Sequence, residues 1–165
     1  MSLPRLRVGI GFDVHPYGRG DGPLRIGGVD FAGEGSLAGH SDADVVCHAI
    51  IDAMLGAGGL GDIGEHFADT DARWKDASGL ELLARAAGML AEAGWRVVDV
   101  DASVVLDSPR LAPHREEMQR RLSAAAGGEV RVKAKRSEGL GALGRGEGIA
   151  AWAVALVCGA DDAGA

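Results

Sequence analysis

The sequence contains no apolar run approaching the ~20 residues needed to span a bilayer, and its start, Met1 to Arg7, has no apolar signal core. These absences predict a soluble, unprocessed chain with no membrane partner. Positive charge is also in short supply, with 17 lysines and arginines against 24 acidic residues and a formal net charge of −7. Nucleic-acid binders usually present a basic face, so that class is disfavoured, and any phosphate ligand must be held by local cations. Cysteine is scarce: Cys47 and Cys158 lie inside apolar runs, at neither framework nor CxxC spacing, which predicts buried thiols in a reducing, cytoplasmic compartment. There are 5 prolines against 27 glycines, and the glycines fall at segment ends and in short clusters without a period. They read as turns and points of close backbone approach, not as collagen or low-complexity sequence.

What is present fits a single domain over residues 1–165, since 47% of the chain is hydrophobic and no linker divides it. Partial alternation predicts a strand from Arg5 to Val14, whose end carries Asp13 and His15. Leu24 to Phe31 contains Ile26-Gly27-Gly28-Val29, a two-residue hairpin signal. Ser41 with Asp44 three residues later reads as a cap and acidic first turn of a helix running to about Leu55 and stopped by Gly58-Gly59. Ser78 and Glu81 form a capping box for a second helix with an apolar stripe of Leu80, Leu83, Ala87 and Leu90, ending at Gly94. Between these helices, Gly61 to Lys75 is polar and long, as functional loops are. A strand at Val97 to Leu106, a helix at Pro113 to Ala126 and a strand at Glu129 to Lys135 make a βαβ unit, with Arg131, Lys133 and Lys135 on one cationic face. Ile149 to Cys158 is almost wholly apolar and reads as a strand covered on both faces. The fold class is α/β (α+β).

The chemical signal is Asp13-Val14-His15 together with His48. Residues two apart on a strand share a face, and a helix can deliver the third donor. Two imidazoles and a carboxylate suit zinc or a similar divalent ion with one position open to substrate. The plain alternative is a strand-end charge with a core histidine. Asp44, His48 and Asp52 recur every fourth residue, so a neighbouring carboxylate is expected to orient His48 beside a polar cavity.

GFDVH at Gly11 to His15, HSDADVVCH at His40 to His48, GDIGEHFADTD at Gly61 to Asp71 and GRGEG at Gly144 to Gly148 occur in that order. Over about Val8 to Val157 the chain resembles the 2-C-methyl-D-erythritol 2,4-cyclodiphosphate synthase family. The resemblance implies a mixed β-sheet with helices packed on one face, assembled as a homotrimer with active sites between subunits. It also implies a cytidine diphosphate ester as substrate, whose 2-phosphate attacks the β-phosphorus and releases CMP. On the same basis, Asp13, His15 and His48 match zinc ligands. Glu138 matches the carboxylate on a second ion, magnesium or manganese, shared with the substrate diphosphate. His40 and Ser41 match phosphate and methylerythritol contacts, and Asp62, Gly64, Phe67 and Asp69 match the loop over the methylerythritol group. Ser108, Pro109, Arg110 and Leu111, with Ala134 and Lys135, resemble the cytidine pocket, and Arg145 and Glu147 match positions near a trimer axis.

The chain departs from this pattern at Ala134-Lys135-Arg136-Ser137-Glu138, where Arg136 holds the usual threonine position. Either Ser137 supplies the phosphate-bonding hydroxyl or the Arg136 guanidinium stabilises the transferring phosphoryl group. Ala68 replaces a usual proline, which loosens the loop. Ala43 replaces a usual glycine, with little harm expected because alanine favours a helix start. Two other activities remain open: a metal-dependent phosphoesterase acting on a related nucleotide, and a weakened CMP- and zinc-binding protein.

Overall fold

The computed structural model describes residues 5–18, 22–39 and 41–160. Its first element, β1 (Leu6–Pro16), alternates as expected, but the polarity of its faces is unusual. Gly9 and Gly11 point inward, followed on the same face by Asp13 and His15, while Leu6, Val8, Ile10, Phe12 and Val14 point out and are exposed. The reason is α1 (Val45–Gly58), which lies directly against the glycines. A Cβ on Gly9 would stand 2.0 Å from the Ala53 carbonyl oxygen, and one on Gly11 would stand 1.9 Å from that of Ala49. Four residues of helix advance about 6 Å and two residues of strand about 6.8 Å, so alanines four apart stay in step with glycines two apart.

A short hairpin, β2 (Leu24–Ile26) and β3 (Val29–Phe31), turns through Gly27 and Gly28, whose φ angles are 59° and 75°. Both turn amides donate to the Asp44 carboxylate, at 2.8 and 2.6 Å, and the Val46 and Cys47 amides donate to it as well. Asp44 is fully buried and is itself the N-cap of α1, so the cap lies three residues beyond Ser41. Ala43 therefore precedes the helix, with φ of 55°, a left-handed conformation that favours glycine and not the helical start expected for alanine. Gly59, at φ 74°, closes α1.

The loop after α1 carries the one-turn helix α2 (Ile63–His66) and a 3₁₀ turn at Ala72–Trp74. It leads into α3 (Gly79–Glu92). Ser78 stands at the N-cap of α3 but makes no cap hydrogen bond; the Gly79 amide donates to Asp42 instead, at 2.8 Å, and Glu81 pairs with Arg85. The capping box is thus replaced by a carboxylate from the segment before α1. The buried stripe is Leu82, Leu83, Ala86 and Leu90, with Leu80 and Ala87 at its margin.

Next come β4 (Trp95–Val105), a 3₁₀ turn at Ala112–His114, α4 (Arg115–Ala126), β5 (Glu129–Lys135), the one-turn α5 (Gly141–Gly144) and β6 (Gly148–Gly159). The sheet is mixed, in the order β1-β6-β4-β5, with β4 and β5 parallel and the other pairs antiparallel. Helices α1, α3 and α4 cover one face, over a core that includes Ile50, Met54, Leu83, Met118 and Val100. The other face is open within the chain, so β6 is covered on one side only: Trp152 and Val154 are exposed and Trp152 packs on Phe12. The cationic face expected on β5 is largely neutralised, because Arg131 pairs with Asp99 and Lys133 with Asp101 on β4. Cys47 and Cys158 are buried and free, as expected, and no helix among the described residues is long and apolar enough to cross a membrane.

Three outcomes follow for stability. Gly11→Ala should cost roughly 2–4 kcal/mol in urea unfolding, because its methyl group collides with helix backbone, whereas Gly88→Ala in exposed α3 should gain roughly 0.5–1 kcal/mol. Asp44→Asn should cost about 2–4 kcal/mol in the same assay, since an amide cannot accept all the N–H groups that meet the buried carboxylate.

Candidate active site

The face of β1 that carries Gly9 and Gly11 continues past the last alanine contact to Asp13 and His15, opposite His48 in the first turn of α1. The Asp13 Oδ2 lies 3.0 Å from His15 Nε2 and 3.0 Å from His48 Nδ1, and the two ring nitrogens are 3.2 Å apart. Donors arranged tetrahedrally around an ion at about 2.0–2.1 Å stand about 3.3 Å from one another, so these three atoms fit one divalent ion with little adjustment. The remaining nitrogens are engaged behind them. His15 Nδ1 donates to the Ala38 carbonyl at 2.8 Å, leaving Nε2 free to bind, and His48 Nε2 meets Ser41 Oγ at 3.0 Å.

Asp13 and His15 shift each other's affinity for protons. Burial works against ionising Asp13, but hydrogen bonds from His15 and His48 outweigh it and hold the carboxyl well below the usual range. For His15, burial disfavours the charged ring, yet the Asp13 carboxylate and the Ala38 carbonyl raise its affinity for a proton above the ordinary value. The carboxylates a helical turn away from His48 do other work, contrary to expectation. Asp44 is consumed by backbone amides, and Asp52 accepts from the Ile63 amide at 2.9 Å, fixing the start of α2. Ser41 takes the orienting place instead.

A cavity of about 330 Å³ opens beside the triad, lined by Asp13, His15, Ser41 and His48 and by Ile63, Gly64, Phe67, Ala68, Asp69, Trp74 and Leu82. Asp62 does not line it: its carboxylate caps α2 by accepting from the Glu65 amide. His40 lies outside the described residues. Ile63, Trp74 and Leu82 form an apolar wall that sequence reasoning did not single out, although an isolated tryptophan in a polar loop was a signal. Trp74 packs edge-on against Phe67 at 5.2 Å, and the guanidinium groups of Arg73 and Arg85 each approach its ring.

A second cavity, of about 240 Å³, is bounded by the segment after β4 and the end of β5. Pro109, Arg110, Leu111, Ala134, Lys135 and Arg136 line it, with Leu106, Asp107, Ala112 and Arg115. Ser108 is turned away from it, its hydroxyl donating to Glu34 and its carbonyl accepting from Tyr17. Ser137 is not free to replace the missing threonine hydroxyl, because its Oγ donates to Asp107 at 2.6 Å and its amide donates to the other Asp107 oxygen. Glu138, at φ 53°, lines neither cavity of the single chain. Arg145 and Glu147 pair with each other at the surface.

This arrangement, a divalent-metal triad with a mixed cavity and a separate cationic cavity, can be set beside known proteins. A 2-C-methyl-D-erythritol 2,4-cyclodiphosphate synthase of Nitrosomonas eutropha is 47% identical over 163 residues, covering 97% of each chain. The solved bifunctional IspDF of Campylobacter jejuni matches with a TM-score of 0.89 at 37% identity, covering 95% of this chain, which spans only 43% of that one. A solved 2C-methyl-D-erythritol-2,4-cyclodiphosphate synthase in a CDP-bound form matches with a TM-score of 0.82 at 34% identity, covering 92% of this chain and 99% of that one. The YgbB family model matches residues 6–158, and with relatives this similar along nearly the whole chain, the protein belongs to the YgbB family, that of the cyclodiphosphate synthases.

Proposed function

We propose that the chain is a CMP-releasing phosphorus-oxygen lyase of the non-mevalonate isoprenoid pathway, closing 4-diphosphocytidyl-2-C-methyl-D-erythritol 2-phosphate to the 2,4-cyclodiphosphate. The observation that carries the reading is the Asp13, His15 and His48 triad at the wall of a cavity that also holds Asp69 and Phe67. An oxygen of the 2-phosphate attacks the β-phosphorus. The bond from that phosphorus to the bridging oxygen breaks, and CMP leaves with that oxygen. Two phosphoryl groups are joined in the ring, and neither water nor a protein nucleophile is consumed.

The chain's task is therefore positioning and charge neutralisation. Asp69 accepts hydroxyl hydrogen bonds from the methylerythritol part, Phe67 and Ile63 cover its apolar side, and Ser41 both steadies His48 and faces the phosphate. Zinc, or a similar divalent ion, held by the triad would supply Lewis-acid polarisation of phosphate oxygens. Glu138 is the proposed protein ligand of magnesium or manganese shared with the diphosphate, and His40 and Arg136 are the proposed phosphate contacts. The 109–111 and 134–136 segments receive the cytidine, in keeping with the CDP-bound relative. Reduced, buried cysteines support a cytoplasmic location.

A homotrimer accounts for the open sheet face. Val8 and Ile10 are 66% and 73% exposed, and with Phe12, Val14, Trp152 and Val154 they form an apolar strip that a second and third copy would cover. In that assembly one subunit supplies the triad and its neighbour the 134–138 segment.

With the cytidine diphosphate ester, phosphorus NMR should show CMP and a cyclic diphosphate, abolished by chelator and reduced on the order of 100-fold or more in His48→Ala. A linear phosphate product would identify a phosphoesterase, and absence of any product a binding protein. Light scattering should give a trimer that Ile10→Glu dissociates, with loss of turnover. A wild-type monomer would sink the shared-site reading.

A further inference from the structure

The two cavities of one chain share no lining residue, yet a continuous set of bonds runs between them. It starts at the metal triad, where the Ala38 carbonyl accepts from His15 Nδ1 at 2.8 Å and so orients that ring. Ala38 belongs to a segment laid along the end of β1. Its amide donates to the Pro16 carbonyl at 2.9 Å, the Gly18 amide donates to Ser36 at 2.8 Å, and Tyr17 faces Leu37 in an antiparallel bridge. From here two bonds cross to the loop after β4. The Tyr17 hydroxyl donates to the Ser108 carbonyl at 3.2 Å, across 91 residues of sequence, and the Ser108 hydroxyl donates back to Glu34 at 3.1 Å. On one side of Ser108, Asp107 accepts from the amide and hydroxyl of Ser137, beside Glu138; on the other, Pro109, Arg110 and Leu111 line the second cavity. Ser108, expected among the nucleotide contacts, uses its hydroxyl and carbonyl for this crossing instead.

We infer that Tyr17 is a positioning residue: its hydroxyl holds the loop after β4 against the strand that carries Asp13 and His15, so that a base in the second cavity steadies the metal triad of the same chain. The inference rests on the proposed reading of that cavity as the cytidine pocket. The Tyr17 ring and Leu37 pack against the core, which anchors both segments whether or not the hydroxyl is present. What the hydroxyl adds is a bond to a backbone carbonyl, and that carbonyl moves with its loop. When a bound base orders residues 107–111, the crossing orders 36–38, and the Ala38 carbonyl leaves the His15 ring less freedom. A ring ordered in advance loses less entropy when it takes up an ion. Linkage makes the effect reciprocal, because the factor that a nucleoside adds to metal affinity is the factor that the metal adds to nucleoside affinity. In the proposed homotrimer the triad and the cytidine pocket of one chain serve adjacent active sites, so Tyr17 ties each site to the next.

The test is the zinc affinity of the full-length protein, by competition with a chromophoric chelator, with and without saturating cytidine. Its counterpart is calorimetric titration of cytidine into the zinc-loaded protein and into the same protein stripped of metal. Cytidine has no phosphate to place on the ion, so direct ligation does not enter. In the wild type both affinities should rise by one common factor, about threefold. Tyr17→Phe keeps the ring and should reduce that factor to below about 1.5, with zinc content and thermal midpoint unchanged. A merely structural role would move the midpoint and leave the factor as it was. Absence of coupling in the wild type would overturn the inference, with cytidine binding still upholding the pocket. Coupling of equal size in Tyr17→Phe would place it across the subunit interface and overturn the inference as well. Coupling lost together with the thermal midpoint would overturn the positioning role of Tyr17. No cytidine binding to either form would overturn the nucleotide reading itself, and the inference with it.

Discussion

The contact on which the rest depends is backbone against backbone, where α1 lies on the glycines of β1. Only hydrogen at Gly9 and Gly11 lets the carbonyls of Ala53 and Ala49 come so close. Because helix and strand advance in near step, the same geometry carries forward one more repeat and brings His48 over Asp13 and His15. A methyl group in this contact would lift α1 and spread the donors, even though it touches none of them. The spacing of the triad's donors is thus set by packing in the adjoining turns of α1.

A second constraint fixes the helix along its axis. Asp44 joins the hairpin turn to the first turn of α1, and Asp42 joins the start of α3 to Arg25 on β2. These carboxylates lie either side of Ala43, whose left-handed backbone turns them to opposite partners. The hairpin, α1 and α3 are consequently tied at one point, next to Ser41. Ser41 is then placed to meet His48, and Leu82 of α3 to close the cavity wall.

This explains what was legible beforehand. Asp13 and His15 could be read because they stand two apart on one strand, and His48 because it heads a helix, although it lies 33 residues beyond His15. Element types and the βαβ unit could be read from periodicity and glycine stops. Capping could not, since the Ser78 and Glu81 pattern is defeated by Asp42, thirty-seven residues away, and the Ser41 pattern by Asp44. Nor could the function of Asp52 be inferred, because its partner is the backbone of the next helix. Expected exposure failed on β6 for a further reason: single-chain patterning assumes that apolar side chains face the chain's own core. Here glycine takes the inner positions of β1 and the apolar side chains are left outside.

The distribution of charge links these features to the reaction. The proposed substrate carries a phosphate monoester and a diphosphate diester, so several negative charges must be brought within bonding range of one another. The first cavity offers few fixed cations; its donors suit a divalent ion, and its remaining wall is apolar. The second offers four unpaired cations but no metal donor set. Neither alone balances the substrate, and within one chain the exposed apolar strip on β1 and β6 lies on the sheet face opposite the helices. Covering that strip with further copies is what would let one chain's triad and another chain's cations act on a single molecule. On this view the outward apolar residues of β1 and the inward glycines serve the same end, since the strand that builds the metal site also builds the surface through which the site is completed.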